Sequence, residues 1–271
     1  MKPVRFRYER PESVEEVVTL LAEHGDDAKV LAGGQSLVPL LNMRFARPEV
    51  LIDINRVSAL DNMSRADGSV SVGALVRQAA FRGVSRLGDA CLPFVGHHAT
   101  RNRGTVAGSI AHADASAELP LALLVAGGSV VVESGRGRRT IPADDFFVTH
   151  YTTELQPDEL VVETVWPDGP PNAGHAFEEL AQRRGDYALC MAAAAVQGDQ
   201  LRVGLGSVVE RPTLLEVDPD APGESAAAQV EPFDGLHASA RYLRNLVRVL
   251  VDRAVDAARA RAATAAREES R

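Results

Sequence analysis

Two glycine-rich segments in different parts of the chain most constrain what it can fold into. They read Leu31-Ala-Gly-Gly-Gln-Ser-Leu37 and Arg103-Gly-Thr-Val-Ala-Gly-Ser-Ile110. The first lies between a predicted strand and a predicted helix. Glycine lets a backbone approach a ligand closely, and successive N–H groups with Ser or Thr hydroxyls suit a pyrophosphate. The sequence predicts that both segments are loops at a phosphate site, and ligand-free tight turns are the alternative.

Composition and missing motifs exclude several other classes of protein. A net charge of −8, with Lys only at positions 2 and 29, argues against nucleic acid as the main partner. The chain lacks a P-loop and a Gly-x-Ser-x-Gly elbow, and Gly204-x-Gly206 lacks the third Rossmann glycine because Val209 stands there. Two cysteines cannot supply the roughly four ligands of an iron–sulfur cluster. A redox centre would therefore be organic or lie on another chain.

Hydrophobic periodicity predicts a mixture of helices and strands in about two domains. Ser13-Val-Glu-Glu16 is typical of a capping box, and Gly25 should end the helix that follows. Further helices are expected at Leu37–Arg44, Leu75–Phe81, Leu119–Val125 and around Leu243–Ala254. Strands are expected at Lys29–Leu31, Val50–Ile54, Val70–Val72 and Glu159–Trp166, with a hairpin over Val130–Ile141. Leu92–Ala117 and Asp218–Gln229 are expected to be loops, Pro167–Asn172 a linker and Ala257–Arg271 a fraying tail.

Two further clusters of polar residues are candidates for ligand contact. The first is His97, His98, His112, Asp114 and Glu118. Its spacing matches no metal motif, so these residues are expected to orient a cofactor or cap the next helix. Asp114 or Glu118 would accept hydrogen bonds from sugar hydroxyls. The second is Arg183–Leu189, interpreted either as a solvated turn or as an aromatic ring and a cation beside a planar cofactor ring.

Four stretches of the sequence resemble motifs of the FAD-binding subunits of molybdenum hydroxylases, the xanthine dehydrogenase and aerobic carbon monoxide dehydrogenase family. These stretches are Leu31–Leu37 with Leu41–Arg44, Arg101–Pro120, Arg184–Ala188 and Val50–Arg56. The resemblance runs from about Tyr8 to about Leu250, nearly the whole chain. The first two motifs are long and specific in combination.

The resemblance implies an α+β fold. A two-part FAD-binding domain of the vanillyl-alcohol oxidase (PCMH) type would cover residues 1–169, with subdomains of about 1–56 and 57–169. A smaller α+β C-terminal domain would cover residues 173–271.

The resemblance also implies roles for individual residues, and it places no catalytic residue on this chain. Lys29–Ser36 and Thr105–Ser109 would wrap the FAD pyrophosphate and adjacent groups, and Asp114 and Glu118 would bond ribose or ribityl hydroxyls. Leu160 or Val161 would touch the flavin ring. The implied cofactor-binding residues are Lys29, Val30, Leu31, Ala32, Gly33, Gly34, Gln35, Ser36, Leu37, Thr105, Ala107, Gly108, Ser109, Asp114, Glu118, Leu160, Val161, Arg184 and Tyr187.

The sequence departs from the family pattern at three points. Ala107 stands where many members have a second glycine, and its methyl group should narrow the approach of the backbone to phosphate. Ala115 replaces a frequent proline, so this loop should be less stiff. The additional cysteines of members with an iron–sulfur insertion are missing.

By resemblance, the chain is an oxidoreductase subunit that passes electrons from [2Fe–2S] clusters through FAD to NAD⁺, a quinone or another acceptor. Its expected partners are a molybdenum-cofactor large subunit and a [2Fe–2S] small subunit, in a dimer of heterotrimers. A cytoplasmic location is expected, without a membrane span. The alternatives are a self-contained flavin oxidase or reductase of the same fold, and a nucleotide-binding interaction module without enzymatic activity.

Overall fold

The computed structural model describes residues 1–269. Its α-helices are α1 (Val14–His24), α2 (Leu37–Met43), α3 (Arg86–Cys91), α4 (His98–Arg103), α5 (Val106–His112), α6 (Glu118–Ala126), α7 (Ala143–Phe146), α8 (Pro222–Ala228) and α9 (Ala240–Glu269). Its strands are β1 (Arg7–Glu9), β2 (Ala28–Leu31), β3 (Val50–Asp53), β4 (Met63–Ala66), β5 (Ser69–Gly73), β6 (Ser129–Ser134), β7 (Gly137–Pro142), β8 (Phe147–Thr149), β9 (Thr152–Thr153), β10 (Leu160–Pro167), β11 (Gly174–Ala181), β12 (Ala188–Gln197), β13 (Gln200–Gly206) and β14 (Thr213–Leu215).

The capping residues in the local sequence determine where helix α1 begins and ends. The Ser13 hydroxyl accepts a hydrogen bond from the Glu16 N–H at 3.2 Å, which confirms the predicted N-cap. The Glu16 carboxylate returns to the N–H of Glu12 at 2.8 Å, one residue earlier than in a standard capping box. Gly25 ends the helix with φ of 48°, a conformation that glycine adopts without steric cost. The apolar face of α1 then packs into the core through Val14, Val17, Val18 and Leu21.

The first sheet is small, parallel and ordered β1-β3-β2. Strands β2 and β3 end together, with Leu31 paired to Asp53. Residues that follow the two strands therefore meet at one edge of the sheet. The first glycine segment follows β2, and Asn55 follows β3 closely. The sheet thus brings both groups to the same place.

The second sheet has five antiparallel strands in the order β4-β5-β10-β6-β7. The predicted hairpin is confirmed as β6 and β7, and β10 lies at the centre of the sheet. Trp166 of β10 is fully buried against Phe81, with ring centroids 4.7 Å apart. One continuous core joins both N-terminal sheets with α1, α3, α5 and α6.

The third sheet is an antiparallel meander of β11, β12, β13 and β14. Helix α9 crosses one face so closely that a Cβ at Gly174 would lie 2.5 Å from the Ala262 nitrogen. Helices α3 and α6 pack against the same sheet from the N-terminal part of the chain. The segment between β10 and β11 contains Pro171 and Ala173. The Arg86 guanidinium of α3 donates to the carbonyl of each, at 2.8 Å in both cases. The connecting segment is therefore held by side-chain contacts.

The α+β fold class is confirmed, but four predicted elements are wrong. Leu75–Phe81 contains only a 3₁₀ turn, Gln78–Phe81, because Arg77 is extended and bridges to Thr105. Leu92–Ala117 is not one loop, since α4 and α5 lie within it. Asp218–Gln229 contains α8, which begins at Pro222. The predicted fraying from Ala257 is wrong as far as Glu269, because α9 continues and buries Ala258. Residues 270 and 271 lie outside the described part of the chain.

Candidate functional site

The two glycine segments meet backbone to backbone. A Cβ on Gly33 would lie 2.7 Å from the Gly104 Cα and 2.9 Å from the Thr105 nitrogen, and closer still to the Arg103 carbonyl oxygen. No side chain fits between these backbones. Gly33 therefore permits the contact through its missing Cβ, and it does not have the positive φ expected of a turn glycine. The positive φ, 72°, belongs to the next residue, Gly34.

The second segment is half helical, which corrects the prediction that it is a loop. Thr105 is the N-cap of α5, and its hydroxyl oxygen accepts a hydrogen bond from the Gly108 N–H at 3.0 Å. A Cβ on Gly108 would lie only 2.5 Å from that oxygen, so glycine keeps the cap intact. Ala107 is 2 % exposed and belongs to the core. Its methyl group packs inward, contrary to the expectation that it would narrow a phosphate site.

A cleft of about 690 Å³ opens beside the first glycine segment. Of the residues implied by resemblance, Leu31, Ala32, Gly33, Gly34 and Gln35 line it. The remaining lining residues were not predicted, and they are Arg10, Val38, Pro39, Asp53, Asn55, Arg77 and Arg103. Lys29, Val30, Ser36 and Leu37 flank the lining segment without belonging to it.

A polar network fixes the edge of the cleft below the glycine segment. The Asn55 amide donates to the Ala32 carbonyl at 2.8 Å and to the Asp53 carboxylate at 2.6 Å. Tyr8 donates its hydroxyl hydrogen to the same carboxylate. Burial raises the pKa of Asp53, but the hydrogen bonds from Tyr8 and Asn55 outweigh it and hold the pKa below its usual value. Asp53 therefore stays ionised and serves as a fixed acceptor.

A second polar group surrounds Asp114, after the end of α5. Ala113 takes a left-handed φ of 51°, which turns the chain and leaves Asp114 only 4 % exposed. The Asp114 carboxylate accepts from the Ser116 N–H at 2.9 Å and from the Tyr151 hydroxyl at 3.2 Å. Burial, together with the Asp114 charge, raises the pKa of Tyr151 to about 12. Asp114 thus already has two protein donors.

Glu118 begins α6 and is 8 % exposed. Burial raises its pKa to about 7, and the neighbouring charge of Asp114 adds to the rise. Glu179 on β11 has a pKa of about 8 because it is partly buried and close to the charge of Glu118. A carboxyl group that holds its proton near neutral pH can donate a hydrogen bond as well as accept one.

The turn that contains Arg184 and Tyr187 lies beside this second polar group. A Cβ on Gly185 would be 2.8 Å from the His97 Nδ1, so the turn packs directly on that imidazole. Tyr187 is 67 % exposed, yet partial burial and the charges of Asp114 and Glu118 raise its pKa. Arg184 is exposed. The turn therefore brings the Tyr187 ring near Asp114 and Glu118.

Other predicted residues lie apart from the cleft. Leu160 and Val161 are buried at the start of β10, where their side chains belong to the core. Ser109 lies within α5 and is partly buried. The structure therefore brings together the two glycine segments, and separately Asp114, Glu118 and Tyr187, but neither set includes Leu160 or Val161.

Sequence reasoning missed Arg77 and Asn55. Asn55 lies inside the predicted Val50–Arg56 motif, so the resemblance contained a signal for it. Arg77 follows β5 in a stretch that resembled a helix, and no local pattern marks it. Only the bridge between Arg77 and Thr105 brings its side chain to the second glycine segment.

The cleft fits a dinucleotide. Two backbones meet there without intervening side chains, and the cleft has basic side chains beside polar acceptors. Exposed backbone at a glycine contact and guanidinium groups suit phosphates, whereas carboxylate and amide oxygens suit hydroxyl groups. The shape and chemistry of this edge are thus those of an FAD site.

The family model for the FAD binding domain in molybdopterin dehydrogenase matches residues 4–168. The chain belongs to this family. The resemblance recognised in the sequence is confirmed, and the cofactor of this FAD-binding subunit is FAD. The subunit is part of an oxidoreductase of the molybdenum hydroxylase type, and a self-contained flavin enzyme is not favoured. Among the helices of residues 1–269, none combines the length and the hydropathy of a membrane-spanning segment.

Relatives of this FAD-binding subunit match it over almost its full length. It is 40 % identical over 279 residues to the alpha subunit of the 6-hydroxypseudooxynicotine dehydrogenase complex of Paenarthrobacter nicotinovorans, covering 93 % of this chain and 94 % of that one. Carbon monoxide dehydrogenase from Hydrogenophaga pseudoflava, solved without the Mo-pyranopterin moiety, matches with a TM-score of 0.91 and 33 % identity, over 96 % and 99 % of the two chains. Quinoline 2-oxidoreductase from Pseudomonas putida 86 matches with a TM-score of 0.87 and 35 % identity, over 97 % and 100 %.

Proposed function

We propose that this subunit carries electrons within a three-component molybdenum hydroxylase. FAD would accept electrons from [2Fe–2S] clusters on a small partner subunit and supply them to an external acceptor. A large subunit with the molybdenum cofactor would oxidise the substrate, and two such heterotrimers would form the complex. The observation that carries the proposal is the backbone contact of Gly33 with Gly104 and Thr105 at the edge of a basic cleft.

We propose that the two glycine segments hold the FAD pyrophosphate and that the flavin ring lies toward Glu118, Arg184 and Tyr187. The two polar sites lie at opposite ends of α5, which supports this direction. Asp114 is engaged by two protein donors, so its role is to fix the loop as much as to bind a ribityl hydroxyl. Glu118 would hold a proton beside the ring and donate it in a hydrogen bond.

Arg184 would act on the ring by charge. A guanidinium near the pyrimidine edge of a flavin favours the anionic reduced form. Tyr187 would cover the ring with its aromatic face, and its 67 % exposure leaves that face free to pack on a ligand. Leu160 and Val161 would contribute from the core behind the ring. In domain terms, residues 1–169 would bind FAD, and residues 173–271 would contribute the turn that carries Arg184 and Tyr187.

The experiment is to purify the chain with the proteins that accompany it and to measure flavin, iron and molybdenum together. We expect one FAD per chain, with iron and molybdenum in the same complex. A yellow protein that purifies alone and turns over a substrate would instead support a self-contained flavin enzyme. A colourless protein whose spectrum does not change when FAD is added would contradict the proposal.

A further inference from the structure

Glu179 is a carboxyl group placed between two apolar layers. It alternates along β11 with Phe177, so both side chains lie on the face of the strand that meets the N-terminal core. The Phe177 ring packs on Phe94 there, with ring centroids 5.7 Å apart. Across the ladder Glu179 pairs with Met191, which is fully buried in the same core. The strand therefore directs a titratable side chain into an apolar interface.

No cation neutralises this carboxyl group within residues 1–269. Its Oε2 atom is buried and has no hydrogen-bond partner there, and none of the ion pairs includes Glu179 or Glu118. The charge that acts on Glu179 is that of Glu118, the first residue of α6, which is itself buried. Two carboxylates that share a poorly solvated site repel each other. The interface therefore favours a state in which at least one of the two holds a proton.

The other titratable or charged groups around the two carboxyl groups do not relieve this repulsion. They are Cys91 of α3, Arg101 of α4, Asp114 after α5, and Tyr187 in the turn before β12. Burial keeps the Cys91 thiol neutral by raising its pKa, and the thiol donates to a backbone carbonyl at 3.3 Å. Arg101 is held by two backbone carbonyls at 2.6 and 3.0 Å. Burial and the charge of Asp114 raise the pKa of Glu118 in spite of Arg101, so protonation is the route by which the two carboxyl groups become neutral.

We propose that Glu118 and Glu179 form a carboxyl pair that takes up one proton from solvent when the FAD of this subunit is reduced. Reduction of a flavin by two electrons near neutral pH adds one proton to the ring and leaves one negative charge on it. With the two electrons supplied by the iron–sulfur partner, two protons leave the solvent, one for the ring and one for the pair. The net charge of the site then stays constant. This inference rests on the proposed function, which places the ring toward Glu118, and Glu179 would act through Glu118 without touching the ring.

The test is the pH dependence of the FAD reduction potential in the purified complex, measured between pH 7 and pH 9. Its slope gives the number of protons taken up per two electrons. We expect about two in the parent near pH 8, and about one in the double variant Glu118→Gln with Glu179→Gln, because glutamine does not titrate. Glu178→Gln is the matched control. Glu178 faces the other side of β11, so this variant should match the parent.

The single variant Glu179→Gln tests the pair against Glu118 acting by itself. In this variant the extra proton should be lost at a lower pH than in the parent, because the group with the higher pKa, about 8, is gone. Identical pH profiles for Glu179→Gln and the parent would overturn the inference. Infrared difference spectra of reduced minus oxidised protein add a direct readout. A carboxylate should become a protonated carboxyl group in the parent and in Glu178→Gln, but not in the double variant.

The outcomes separate this inference from the proposed function. A complex that contains iron and molybdenum but no FAD would contradict both. A complex whose FAD is reduced with only about one proton per two electrons in the parent would overturn the carboxyl pair alone and leave the proposed function standing.

Discussion

Replacement of Glu179 by Gln should stabilise the protein in alkaline solution. Burial and the neighbouring charge of Glu118 raise the pKa of Glu179 from 4.5 to about 8. Each pKa unit corresponds to about 1.4 kcal/mol, so ionising Glu179 in the folded protein costs at most about 5 kcal/mol. Glu179 is only partly buried, and solvent screening should reduce this to about 2 kcal/mol. Glutamine has nearly the same shape but does not ionise, so the variant avoids this loss of folding free energy.

The direction of the pKa shift determines whether the parent gains or loses stability as the pH rises. The folded-state pKa lies above the unfolded value, so the protonated carboxyl favours the folded state. The parent should therefore lose stability as the pH rises from about 4.5 through about 8. The advantage of Glu179→Gln should be smallest near pH 5 and complete above about pH 8.

The assay is the urea midpoint of unfolding at saturating FAD, measured at pH 5 and pH 9. Glu178→Gln is the matched control, because Glu178 precedes Glu179 on β11 and faces the opposite side of the strand. The midpoint of Glu179→Gln should exceed that of the parent by more at pH 9 than at pH 5, whereas the difference between Glu178→Gln and the parent should stay the same. Equal midpoints for Glu179→Gln and the parent at pH 9 would refute the argument, since Glu179 would then ionise without cost.

Three further predictions concern the cofactor. Gly33→Ala should abolish FAD binding because its Cβ would separate the two glycine segments, whereas Gly135→Ala, where a Cβ meets nothing within 4 Å, should bind FAD normally in the same titration. Tyr187→Ala should keep FAD with at most about tenfold weaker affinity, and Arg184→Ala should keep FAD but lower its reduction potential, as checked by redox titration. FAD should be released completely into the supernatant on acid precipitation, because the chain carries no recognisable attachment motif; yellow pellets would contradict this.

The sequence predicted the parts of the site that local patterns encode. The Gly33 segment lies between a strand and a helix, and the spacing of apolar residues in the sequence changes at this point from that of a strand to that of a helix. The hairpin of β6 and β7 was predicted from two strand-like stretches on either side of a Gly-Arg-Gly-Arg turn. The fold class followed from such elements together with the resemblance to a family.

The remaining parts depend on contacts between distant residues. Arg77 reaches Asn55 and the Arg103 carbonyl only after β3 and β5 have been positioned, so its role has no local signature. The role of Gly33 is set by the second segment, far along the chain, and the first segment alone does not show it. Helix α8 had a usable signal, because proline favours the first turn of a helix, and Pro222 stands there.

Helix α6 limits how the chain can be shortened. Every residue from Glu118 to Val125 is buried, because the helix lies between the β12–β13 face and the N-terminal core. A fragment ending at residue 168 would leave one side of this apolar helix in water. We expect such a truncation to aggregate or to need detergent. We therefore expect the region that matches the family model to need the C-terminal sheet, which covers one side of α6, in order to stay in solution.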